Sequence, residues 1–266
     1  MTASRKTASS DLVQVARDAR GVATITLNDP ARFNALGSNM LAALQQALDA
    51  LAQDEALRVV VLAASGKAFC AGHNLKDMAQ HPELDWYQQL FAQCSRVMLS
   101  LHKLPVPVIA RVHGMATAAG CQLVAQCDLA VAADCASFAT SGIHYGLFCS
   151  TPSVPLVRNV PAKRAMEMLL TGDFIDAATA KQEGLVNRVV SLQALDAEVE
   201  QLVQSILEKP RVAVALGKAL VYRQRELGLE AAYQLAGQTM AVNMMDAAAQ
   251  EGARAFAEKR KPDWKC

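Results

Sequence analysis

Four apolar runs constrain this chain more than any other feature: VATITL at 22–27, RVVVLAA at 58–64, VPVIARV at 106–112 and LAVAA at 129–133. Two of them carry no polar residue after their first position and the others are broken only by Thr24, Thr26 and Arg111, so they predict strands covered on both faces, as in a largely parallel sheet clothed by helices. Between them, GSNMLAALQQALDALAQD and ELDWYQQLFAQCSRVMLSLHKL repeat their apolar residues at helical spacing. Parallel neighbours need long crossovers, and strand–helix alternation supplies them, which predicts an α/β core.

After about residue 193 the strand signals stop. ALDAEVEQLVQSILEK, RVAVALGKALVYRQREL, LEAAYQLAGQTMAVNMM and DAAAQEGARAFAEKR all read as helices. Their apolar stripes need cover, either from the core or from another subunit. The chain therefore divides into a flexible N-terminus (1–11), an α/β core (12–192) and a helical C-terminal region (193–266). With 266 residues, 52% of them hydrophobic, it is long enough for one large core.

A formal net charge of +1 provides no bulk field for nucleic acid or an anionic membrane. No window approaches the roughly 18 apolar residues of a membrane span. MTASRKTASSDL lacks the apolar run of a secretory signal and is short for a transit peptide. The seven cysteines show no C-x-x-C pair and no zinc-type spacing with histidine. They read as small buried hydrophobes in a reducing compartment, so the expected location is cytoplasmic and no metal is expected.

Two glycine-containing turns carry the chemistry. GKAFCAGHNLKDM (66–78) follows a buried strand, where unpaired backbone N–H groups can face a cleft and bind developing negative charge. HGMATAAGCQL (113–123) also follows a strand and opens a helix. Its Ala118, Ala119 and Gly120 let another group approach the free N–H groups at a helix start. Taken alone, the first is an ordinary turn and the second is close helix–strand packing.

Four segments in register make the combination specific: N-x-P-x-x-x-N-A-L (28–36), F-x-A-G-x-x-L-K (69–76), G-x-A-x-x-x-G-C (114–121) and C-D (127–128). On these the chain resembles the crotonase superfamily, the enoyl-CoA hydratase and isomerase group. More narrowly, ATAAGCQLVA, SFAT and GLFCSTP are similar to the enoyl-CoA hydratase domain-containing protein 3 subgroup. The resemblance implies a crotonase-type spiral of repeated ββα units and a homotrimer, or a hexamer built as a dimer of trimers. It implies a coenzyme A thioester as substrate, with no tightly bound cofactor.

Carried over residue by residue, the family's oxyanion hole becomes the backbone N–H groups of His73 and Ala119. The resemblance further implies Cys70, Ala71, Gly72, Asn74, Leu75, Gly120, Gly142 and Ser150 as substrate contacts. Coenzyme A contacts would come from Ala31, Arg32, Phe33, Asn34, Ala35 and Lys76, and from Lys259 or Lys261 reaching phosphates across a subunit boundary. Lys76 reads equally well as a solvated helix lysine, and EKRK as a solvated tail.

The chain departs from the family at its two catalytic glutamates. The first position is Gln122, which hydrogen-bonds water but takes no proton, and the second is Gly142, which supplies neither acid nor base. General acid–base catalysis contributes roughly 100- to 10,000-fold. His144 is the most economical replacement base by its ordinary titration range, set against a purely packed histidine. The His73 ring points either into the cleft or away, which the sequence leaves open, and Cys149 reads as packing. Trp86, Tyr87 and Phe91 either line an acyl tunnel or fill a helix core. The reading placed first is a hydratase-type lyase, with enolate chemistry such as enoyl-CoA isomerisation, or acyl-CoA binding without turnover, as alternatives.

Overall fold

The four apolar runs become strands of one six-stranded sheet in the computed structural model, which describes residues 12–264. The expected flexible segment 1–11 lies outside the described residues. β1 (Val13–Arg17) runs antiparallel to β2 (Val22–Leu27). Three successive pairs follow: β3 (Val59–Ala64) with β4 (Ala68–Cys70), β5 (Val108–Val112) with β6 (Met115–Thr117), and β7 (Leu129–Ala133) with β8 (Ser137–Ala139). The first strand of each pair joins the long sheet and the second joins a short one. With β9 (Ile175–Asp176) and β10 (Arg188–Val190) the orders are β1-β2-β3-β5-β7-β10 and β4-β6-β8-β9. β3, β5, β7 and β10 pair in parallel, as do β4, β6 and β8. This is the ββα spiral expected from the sequence.

Helices fill the crossovers: α1 (Ser38–Ala52), α2 (Leu75–Gln80), α3 (Leu84–Lys103), α4 (Ala119–Gln126), α5 (Ser150–Asn159), α6 (Ala162–Thr171) and α7 (Ala177–Gln182). The main core holds Ile25, Leu44, Leu62, Phe69 and Phe138, all fully buried. The opposite face of the long sheet packs Val59, Val61, Ile109 and Val131 under Leu195, Val199 and Val203 of α8 (Leu195–Leu207). Every residue of β3 is buried for this reason, and burial on both faces is what an unbroken apolar run encodes. α8, assigned from the sequence to the C-terminal region, therefore serves as cover for the core.

The last three helices behave differently. α9 (Arg211–Gln224) contains no fully buried residue, and α10 (Leu229–Met244) buries only Ala232. Leu229, Tyr233 and Met240 of α10 are at least 70% exposed, as is Phe256 of α11 (Ala247–Ala257). One polar clamp fastens α9 to the core. Lys218 Nζ lies 2.7 Å from Asp128 Oδ2 and donates to the Leu101 and Val106 carbonyls. The Tyr222 hydroxyl and the Val108 N–H donate to the same carboxylate. Asp128 of the C-D segment is thus a structural anchor, with its partly buried charge paired and hydrogen-bonded. No helix of the described residues is long and apolar enough to cross a membrane.

Candidate active site

The two glycine-containing turns meet. Gly72 follows β4 at φ +85°, and a Cβ there would sit 2.8 Å from the Ala118 methyl and 3.1 Å from the Ala119 nitrogen. A side chain at 72 would therefore be strained and would also push the turns apart. Segment 28–36 braces the first turn: Ala71 N–H donates to the Phe33 carbonyl (3.0 Å) and Leu36 N–H to the Gly72 carbonyl (2.7 Å). The second turn ends at Ala118, which caps α4 with φ 50° and ψ −120°. Alanine rarely adopts this conformation, which costs on the order of 1–3 kcal/mol. Ala119 is then the first residue of α4, where an N–H has no intrahelical partner. Among the described residues, the N–H groups of His73 and Ala119 find no acceptor in the chain.

Both residues line one cavity of about 250 Å³. Ala71, Leu75, Phe91 and Ala118 complete that wall, and the facing wall runs from Ser141 and Gly142 through Tyr145, Leu147 and Phe148 to the start of α5. The lining contains no carboxylate, lysine or arginine. A charge developing on a ligand inside it would meet backbone dipoles with no side-chain charge beside them.

The structure resolves the orientation of the His73 ring. Nδ1 lies 2.9 Å from the Leu36 carbonyl, which carries no proton, so Nδ1–H is the donor. Phe91 packs edge-on against the imidazole, with centroids 5.4 Å apart. Burial holds the His73 pKa below the usual histidine value, outweighing the opposite pull of the Leu36 bond. Nε2 is buried without any partner.

Several other residues singled out from the sequence have different roles. Asn34 is fully buried, its amide donating to the Ser65, Ala68 and Phe69 carbonyls and its oxygen accepting from Asp29 N–H, so its side chain braces the segment. Asn74 caps α2 through Lys76 N–H and Asp77 N–H. Cys70 is buried and donates to the Asn34 carbonyl, with burial pushing its thiol up to about 12. Gly120 packs against the Cys70 backbone. Gln122 is 3% exposed and does not belong to the cavity wall, and its Oε1 has no partner. His144 also lies off the wall, its ring within 3.0 Å of where a Gly172 Cβ would stand.

Ser150 lines the cavity, while Ala31, Arg32 and Phe33 are exposed beside the first turn and Ala35 is half-buried. Lys76 is exposed on α2, and Lys259 and Lys261 are exposed beyond the end of α11. Of the three open aromatics, Phe91 lines the cavity, Trp86 stacks on His81 and Tyr87 donates to the Met78 carbonyl. Tyr145, Leu147 and Phe148 were not anticipated as lining, although GLFCSTP marked the segment.

Gly142 lies on the wall, but a Cβ there would sit 2.6 Å from the Leu147 carbonyl oxygen and 2.9 Å from Cys149 Sγ. The neighbouring loop has closed over the space that a side chain at this position would need. A side chain at position 142 is thus excluded by shape as well as absent from the sequence.

Comparison with known proteins agrees with this architecture. The family model described as Enoyl-CoA hydratase/isomerase matches residues 17–266. Enoyl-CoA hydratase domain-containing protein 3, mitochondrial, is 46% identical in Mus musculus over 93% of this chain and 83% of that protein. The Homo sapiens protein of the same name is 45% identical over 94% of this chain and 82% of its own length. Among solved structures, an enoyl-CoA hydratase of Mycobacterium smegmatis is 62% identical with a TM-score of 0.94, covering 96% of this chain and 99% of that one. The human domain-containing protein 3 structure is 43% identical with a TM-score of 0.91, covering 95% and 100%. The two curated relatives carry "mitochondrial" in their names, a statement about those proteins that gives no support to a cytoplasmic location here. By sequence and by fold, the chain belongs to the enoyl-CoA hydratase/isomerase family.

Proposed function

We propose that this protein binds an acyl-CoA thioester with its carbonyl oxygen against the N–H groups of His73 and Ala119, and that it stabilises the enolate formed there. One observation carries the reading: two backbone donors without acceptors line one side of a cavity that holds no charged side chain. Preorganised donors of this kind stabilise a developing oxyanion by roughly 3 kcal/mol each. Leu75, Phe91, Leu147 and Phe148 give the acyl chain an apolar bed. Lys76, Arg32 and the exposed residues of segment 31–35 lie on the side of the first turn and would meet the coenzyme A phosphates. Lys259 and Lys261 would do so only from a neighbouring subunit.

Proton movement at the α-carbon is the chemistry this arrangement favours. Hydration, the reading placed first on sequence, needs an acid and a base for water, and the cavity wall offers no carboxylate. Slow hydration is the second reading: the unpaired Gln122 Oε1 is free to hold a water, but from off the wall it would have to turn toward the cavity to do so.

Calorimetry and isotope exchange test the proposal together. Butyryl-CoA should bind more tightly than free coenzyme A, and its α-hydrogens should exchange with D2O in the presence of the protein. Crotonyl-CoA hydration should run roughly 100- to 10,000-fold below that of a relative with both glutamates. Failure of butyryl-CoA and octanoyl-CoA to bind would sink the proposal.

The exposed apolar residues of α9–α11 support assembly. Val221, Leu229, Tyr233, Met240, Val242 and Phe256 are each more than half exposed, a large apolar area for a monomer to leave in water. We assign them to a trimer interface formed by the C-terminal helices. Sedimentation velocity at micromolar concentration should give a trimer or a hexamer, and a monomer would overturn the assignment.

A further inference from the structure

We propose that the His73 imidazole, acting beside its own backbone N–H, is the proton acceptor that stands in for the missing carboxylates. The inference rests on the thioester reading above and assigns that site its base.

Nδ1–H is committed to the Leu36 carbonyl, so the neutral ring carries its lone pair on Nε2. That atom is buried and accepts nothing. Buried polar atoms in folded proteins nearly always have partners, and an orphaned acceptor calls for an explanation. His73 belongs to the wall that also holds the two free N–H groups, and on this proposal the missing partner of Nε2 is the acidic C–H that arrives with the ligand. Phe91 packs edge-on against the ring and also lines the cavity, so the proposal requires the Phe91 edge to yield when an acyl chain enters.

The step balances without a co-reactant. The Cα–H bond breaks, its proton passes to Nε2, and its electron pair moves into a C=C bond as the thioester C=O electrons settle on the oxygen. Return of the proton to Cα gives exchange, and return to the γ-carbon of a conjugated enolate gives isomerisation. The other candidate on sequence, His144, has its ring against Gly172 and off the wall.

The ring titrates in apolar surroundings. From the facing wall the titratable groups are Tyr145 and Cys149, and on the near side Asp77 approaches Gly37. The two influences on His73 are burial, which favours the neutral ring, and the Leu36 bond. The ring is therefore a free base at neutral pH, and acid removes its function only below the ordinary histidine range.

The test compares the wild-type protein with His73→Ala and His73→Asn, both of which keep the backbone N–H. Asparagine can still donate to Leu36, so one variant retains the local brace if alanine unfolds. α-Hydrogen exchange of butyryl-CoA in D2O is followed across pH 4.5 to 8.5, with calorimetric affinity measured alongside. The wild type should show a plateau that falls in acid with a midpoint below about 6.5. Both variants should bind butyryl-CoA within about threefold of the wild type, exchange it roughly 100-fold more slowly and lose the inflection. A His73→Asn protein that exchanges at the wild-type rate with the same pH profile would overturn the assignment. Wild-type binding without exchange would also overturn it while leaving the thioester site standing. Absence of binding would overturn both.

Discussion

Ala119→Pro is expected to slow α-hydrogen exchange of bound butyryl-CoA by about 100- to 1,000-fold, the usual consequence of losing one oxyanion donor. The substitution is specific because of where Ala119 stands. It is the first residue of α4, and its N–H has no acceptor in the chain. Proline is tolerated at a first helical position, since the N–H it lacks is unpaired there and its φ already suits a helix. It therefore removes the donor while leaving the helix its hydrogen bonds, and thermal unfolding separates that loss from the strain the ring places on Ala118, already at positive φ. Ala119→Ser supplies the control, because it keeps the N–H and changes only a small side chain. If the proline variant exchanges at the wild-type rate while melting normally, the Ala119 N–H does not hold the thioester oxygen.

Much of the frame was legible because its signals are local or periodic. The runs at 22–27, 58–64, 106–112 and 129–133 became β2, β3, β5 and β7 within two residues at either end. Their apolar continuity reported burial on both faces, which α8 completes on one side. The short strands β4, β6, β8 and β9 were not legible: with two or three residues each, they are too short to show a period and exist because the long strands deliver them to one another. The cavity side of the site shows the same division. The two turns announced themselves through glycine and small residues. The orientation of the His73 ring, the closing of the loop over Gly142 and the retreat of Gln122 from the wall depend on contacts between segments far apart in sequence. Asn34 shows a residue type misleading in the other direction, since its motif suggested a ligand contact and its amide is consumed by three buried carbonyls.

Gly120→Ala is expected to cost about 4 kcal/mol or more, placing it among the exceptional single substitutions. A Cβ at this position would lie 2.7 Å from the Cys70 carbonyl carbon and 2.8 Å from the Cys70 Cβ, and closer still to the carbonyl oxygen. Neither neighbour can yield, because all three residues of β4 are buried and β4 is paired with β6. The helix would have to lift away from the strand, opening a gap in a core that is packed on both sides. For a chain of this length such a loss lowers the melting temperature by about 8–16 °C. The small residues at this helix start were read from the sequence as room for a ligand, but at Gly120 the group that approaches is the protein's own β4. The first of the two turn segments is thereby pressed directly onto the second, and the same contact fixes where the His73 and Ala119 N–H groups stand relative to one another. A thermal melt of Gly120→Ala within 3 °C of the wild type would show that α4 and β4 are free to separate. The pairing of the two donors would then lack the rigid support on which electrostatic preorganisation depends.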